Sequence, residues 1–164
     1  MPETPEFLLP RRSYPAHGVK LIDGQPTVIF DTICTKDRTP WLANQEVHTT
    51  LKEVWQEAEA WLMGKYVVMP DHVHFFAWYT RSMIKYEGWV RYWKSQFSKK
   101  YKHPECEWQV NHWDTRLRDS RQYESKWLYV RDNPIRKQLV EHPDDWPYQG
   151  EICQLKWEST DVCY

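Results

Sequence analysis

Two histidines, a tyrosine and an asparagine define the chemistry open to this chain. His72 and His74 stand two apart inside Tyr66-Val67-Val68-Met69-Pro70-Asp71-His72-Val73-His74-Phe75-Phe76, a run otherwise apolar, β-branched and aromatic. Side chains alternate between faces along a strand, so both imidazoles point the same way. Neutral imidazoles side by side can ligate one divalent ion, although a hydrogen-bonded structural pair leaves the same trace in a sequence. Further on, Tyr129 and Asn133 stand four apart, directly before Pro134. That spacing puts them on one helix face. A phenol, once deprotonated or metal-assisted, is a competent covalent nucleophile.

These residues need elements to position them. Residues 27–35 are β-branched and end at the Lys36-Asp37-Arg38-Thr39-Pro40 turn, which predicts a first strand. Asn44 is placed to cap a helix whose Val47, Leu51, Val54, Trp55, Ala58 and Leu62 share a face. Two strands follow around Pro70-Asp71, the second carrying His72 and His74. Ser82 is expected to cap a helix running to Tyr101, with Met83, Val90, Trp93, Phe97 and Tyr101 as its apolar stripe. A short strand over residues 112–117 and a helix from near Ser120, carrying Tyr129 and stopping near Pro134, complete the chain. The order β-α-β-β-α-β predicts an α+β fold, a ferredoxin-like or RRM-like antiparallel sheet with a further C-terminal helix that bears the tyrosine.

Length and composition narrow the class. The 164 residues suit one domain over 27–148, preceded by a Pro-rich irregular arm at 1–26 and followed by a tail at 149–164. Arg11 and Arg12 of the arm are candidate phosphate contacts. No window approaches the length of a membrane span, and the acidic N-terminus is unlike a secretory leader. The four cysteines show no Cys-x-x-Cys spacing, so the expectation is a reduced, cytoplasmic protein. A net charge of −1 argues against a generic polyanion binder. Its distribution argues otherwise, because residues 85–137 hold 13 Lys/Arg against 7 Asp/Glu. Such a segment can hold phosphates locally, and Arg116, Arg118, Arg121, Arg131, Arg136 and Lys137 cluster around the tyrosine in sequence. A solvated charged face would look the same. Aromatic residues make up 16%, with eleven Trp and ten Tyr, enough that some rings are expected to be exposed for stacking. Trp55, Trp61 and Trp93 read as packing, and His112 as structural.

Met69-Pro70-Asp71-His72-Val73-His74, followed by Tyr129-Val130-Arg131-Asp132-Asn133-Pro134 and Leu139-Val140, resembles the single-tyrosine HUH transposases, and within them the REP-associated tyrosine transposases. Trp108-Gln109 through Arg118-Asp119 and Asp144-Asp145-Trp146-Pro147-Tyr148 resemble further family segments, so the likeness spans roughly residues 10–148. It departs at Asp114-Thr115, where members commonly have Glu-His, and at Gln138, where they have glycine; Gln138 suggests a different turn after Pro134. The resemblance implies a metal-dependent DNA transposase and single-strand endonuclease that cuts and rejoins single-stranded, hairpin-containing DNA. Tyr129 would form a covalent 5′-phosphotyrosine, while His72, His74 and Asn133 hold Mg²⁺ or Mn²⁺. Monomers and homodimers both fit. Two rival readings stand beside it: a domesticated hairpin-DNA binder that no longer cuts, and a His-x-His metal-dependent phosphohydrolase, which lacks a third histidine at Phe76.

Overall fold

The computed structural model describes residues 19–22, 28–80 and 83–158. Its elements run β1 (Val19–Ile22), β2 (Val28–Cys34), α1 (Gln45–Glu57), β3 (Trp61–Val68), β4 (His72–Tyr79), α2 (Tyr86–Tyr101), β5 (Trp113–Leu117), α3 (Ser120–Arg131), α4 (Asn133–Arg136), β6 (Gln149–Glu151) and β7 (Leu155–Glu158). An antiparallel sheet in the order β5-β2-β4-β3-β6 forms the frame. Its first four strands carry the expected ferredoxin-like order, and the mixed α+β class holds.

Strand parity divides the core. Ile29, Ile33, Val73, Phe75 and Ala77 face α1 and α2, packing on Leu51, Val54, Trp55, Trp89, Trp93 and Phe97. Val28, Phe30, Phe76 and Leu117 face the other way, against Tyr123 and Val130 of α3 and Trp146 of the C-terminal segment. A register shift between Met63 and Tyr66 lets both of those side chains reach the α1/α2 face although they are three apart. The face that a ferredoxin-like sheet leaves bare is therefore covered by the helix that carries the tyrosine.

Several expected boundaries move. The helix capped by Asn44, whose side chain accepts from the Val47 N–H, ends at Glu57, so Leu62 belongs to β3 and Ala58 to the turn. Carbonyls in that turn are held from elsewhere: Trp89 Nε1 donates to Ala58 O and Thr80 Oγ1 to Ala60 O. α2 begins at Tyr86 rather than near Ser82, which lies outside the described residues, and Met83 is fully exposed. Trp61 Nε1 donates to Ile84 O and ties the preceding segment to β3. β6 adds an edge to β3, and β1 pairs in parallel with β7. Arg11 and Arg12 lie outside the described residues. Among the described residues no helix is long and apolar enough to cross a membrane.

Candidate active site

β4 sends His72, His74 and Phe76 to the α3 face, where α3 and α4 meet. Pro134 lacks an amide hydrogen and ends α3 at Arg131. α4 restarts at Asn133, which turns its side chain inward and is buried, as are both histidines. His72 Nε2 and His74 Nε2 are 3.1 Å apart, and Asn133 Nδ2 lies 3.1 and 3.0 Å from them.

The far side of each ring is already engaged. His72 Nδ1 lies 2.6 Å from Asp71 Oδ1, and His74 Nδ1 lies 2.8 Å from Thr32 Oγ1. A carboxylate only accepts, so the His72 proton sits on Nδ1 and leaves Nε2 bare. Thr32 can hold His74 in the same tautomer. Burial lowers both imidazole pKa values, with Asp71 opposing the shift at His72; His74, also repelled by His72, Arg136, Arg38 and Lys126, falls to about 3. With the His74 proton on Nδ1 as well, both Nε2 lone pairs turn toward each other, an arrangement that a cation relieves.

The donor set fits a divalent ion. With ligand bonds of about 2.1 Å, neighbouring ligands stand about 3.0 Å apart in an octahedral shell and about 3.4 Å apart in a tetrahedral one. The observed triangle matches an octahedral face, provided that Asn133 turns its amide by 180° to present Oδ1, since an amide nitrogen does not ligate.

Tyr129, one turn before Asn133, is 60% exposed, with the Arg136 guanidinium 3.9 Å from its ring centroid. Tyr123 on the same helix is buried, and burial pushes its phenol up, which makes it a poor alternative nucleophile. The basic residues do not form one group. Arg136 and Lys137 act electrostatically on the histidines, joined by Arg38 and Lys126, which the sequence reading missed. Arg38 also donates to Asp71 Oδ2 at 2.8 Å and sits at φ 57 in a loop. Arg131 pairs with Asp144 at 3.3 Å. Arg118, in the turn before α3, and Arg121, in its first turn, are exposed. Arg116 pairs in register with Ile29 and so points to the α1/α2 face, away from the histidines.

A second polar cluster lies on that opposite face. Glu87, His112 and Asp114 bring ligand atoms within 4.8 Å of one another, a grouping able to hold a metal ion. Here, however, both ring nitrogens face carboxylates: His112 Nδ1 is 2.7 Å from Asp31 Oδ2, and Nε2 is 2.8 Å from Glu87 Oε2. Asp31 is 0% exposed and also accepts from Tyr86 Oη. Asp31 chiefly, with Glu87 and against burial, raises the His112 pKa to about 9.

No protein-family model matches the chain. Over 145 residues it is 24% identical to a Haemophilus influenzae protein provisionally named a REP-associated tyrosine transposase, covering 79% of this chain and 82% of the relative. The chain is a relative of the REP-associated tyrosine transposases. A solved structure of a REP-associated tyrosine transposase bound to a REP hairpin shares the fold, with a TM-score of 0.65 at 20% identity over 91% of this chain and 82% of that one.

Against the REP-associated tyrosine transposases, the two departures now have places in the fold. Asp114 pairs with Asp31 across β5 and β2, on the face away from the histidine pair. Gln138 does not mark a different turn. It occupies φ 58, with Gln138 N bonded to Ile135 O and Leu139 N to Pro134 O. That is the Schellman end for which glycine is suited, here carried by a residue with a Cβ.

Proposed function

We propose that the protein cuts and rejoins single-stranded, hairpin-containing DNA through Tyr129, with His72, His74 and Asn133 holding Mg²⁺ or Mn²⁺. The observation that carries this reading is the convergence of the two imidazole Nε2 atoms and the Asn133 amide, four residues on in sequence from an exposed tyrosine. The relative bound to a REP hairpin supports hairpin DNA as the partner. A divalent ion held there would polarise the scissile phosphate.

The chain's own residues do the rest. Arg38, Lys126, Arg136 and Lys137 give the buried pair a cationic surround that draws in a phosphate. Asp71 fixes the tautomer of His72, and Asp71 and Thr32 together fix the orientation of the two imidazoles. The Tyr129 oxygen forms the bond to phosphorus, its proton leaves to solvent, and the bond to the 3′-oxygen breaks. That oxygen takes up a proton and departs as a free 3′-hydroxyl. The phosphotyrosine keeps the bond energy, so a second 3′-hydroxyl can displace Tyr129 and rejoin a strand. Monomer and homodimer both suit this chemistry, and the cytoplasm is where its substrate lies.

The test is a denaturing gel of protein incubated with Mn²⁺ and single-stranded oligonucleotides drawn from the DNA flanking its gene. A covalent adduct in the parent, absent from Tyr129→Phe, is expected. No adduct would leave a non-cutting binder, and an adduct in Tyr129→Phe would move the nucleophile elsewhere. Metal-dependent phosphate hydrolysis retained by Tyr129→Phe would favour a His-x-His phosphohydrolase.

A further inference from the structure

Ten of the eleven tryptophans are buried or half-buried; Trp113 is 62% exposed. Its position is specific. On β5 it pairs in register with Thr32 of β2, and Thr32 pairs with His74 of β4. Directly opposed residues share a face, so Trp113, Thr32 and His74 form one row across three strands on the α3 side. Two strand spacings separate the ends of that row, about 10 Å between backbones.

The next row is roofed, with Tyr123 packed on Phe76, whereas Thr32 is only half-buried and the row through it is open. Lys126 holds its ammonium 5.3 Å from the Phe30 ring centroid, and Phe30 stacks on His74 at 5.7 Å. An exposed indole, a hydroxyl and an ammonium thus lead to the buried imidazole pair.

We propose that Trp113 is the stacking platform for one unpaired base of the DNA strand whose phosphate lies at His72, His74 and Asn133, an assignment that rests on the function proposed above. A base in a duplex has both faces covered by its neighbours, so the platform selects single strand over duplex. The cations beside the histidines complement the backbone of the same strand.

The test is fluorescence anisotropy at low salt with dye-labelled oligothymidylate, which does not pair with itself, using the parent, Trp113→Ala, Trp113→Phe and Arg116→Ala. Stacking on one aromatic ring makes the expected loss in Trp113→Ala about 10- to 100-fold. Trp113→Phe should recover most of it, and Arg116→Ala, on the opposite face, should bind as the parent does. Equal melting temperatures would show that the variants fold. Parent-like binding by Trp113→Ala overturns the platform while leaving the proposed function standing. No binding by the parent overturns both.

Discussion

The two faces of the sheet each hold histidine beside carboxylate, and they drive it to opposite charge states. On the α3 face one carboxylate, Asp71, takes the outer nitrogen of His72 and leaves the inner one bare, and burial keeps both rings of the pair neutral. On the α1/α2 face Asp31 and Glu87 grip both nitrogens of His112, and its pKa rises to about 9. Residue type alone therefore does not mark a metal ligand. What matters is whether a ring keeps a lone pair facing other donors. By that criterion His72 and His74 are the ligands proposed for the cation, and His112, with its raised pKa, is set apart from them.

The largest expected effect breaks the first face. His72→Ala or His74→Ala should lower adduct formation on the order of a thousandfold while shifting the metal-free melting temperature little. A variant that unfolds instead would make the pair structural. His112→Ala should do the reverse, because it strips the buried Asp31 of its cationic partner and leaves it only the Tyr86 hydroxyl. The expected cost is about 3 kcal/mol, or a fall on the order of 10 °C in melting temperature, checked by calorimetry. Cleavage per folded molecule should persist.

A pH series sharpens the same contrast. The folded His112 pKa of about 9 lies above the unfolded value of about 6.5. Its stabilisation is therefore fully present below pH ~6.5 and is lost as pH rises through about 9. The melting-temperature gap between parent and His112→Ala should shrink across that window, and a constant gap would mean that His112 is not held charged. The smallest effect concerns Gln138. Gln138→Gly removes the Cβ at φ 58 and should stabilise the chain by about 0.5–1 kcal/mol, read from denaturant midpoints.

What the sequence revealed followed periodicity. Strand parity put His72 and His74 on one face, whereas Tyr129 and Asn133, read as one helix face, fall on separate helices, α3 ending at Arg131 and α4 starting at Asn133. Asp71 was legible too, as the carboxylate next to His72, but it was not singled out. Register was not legible: whether Arg116 or Trp113 faces the histidines depends on how β5 pairs with β2, and pairing decides that by a single residue. Arg38 reaches the site from a loop with two left-handed residues, Asp37 and Arg38, which no periodic pattern announces. His112 read as structural, yet its buried partner Asp31 lies in a distant strand. β6 is too short to alternate and becomes a strand only by pairing with β3.

The central claim is that the α3 face, and not the α1/α2 face, binds the divalent ion. Thermal melts with and without Mn²⁺ test it directly on the parent, His72→Ala, His74→Ala and the double variant Glu87→Gln/Asp114→Asn. A ligand at 100 times its dissociation constant adds about 2.7 kcal/mol to the state that binds it. The account predicts that this gain appears in the parent and in Glu87→Gln/Asp114→Asn and vanishes in both histidine variants. A gain that survives in His72→Ala and His74→Ala but disappears in Glu87→Gln/Asp114→Asn would contradict it.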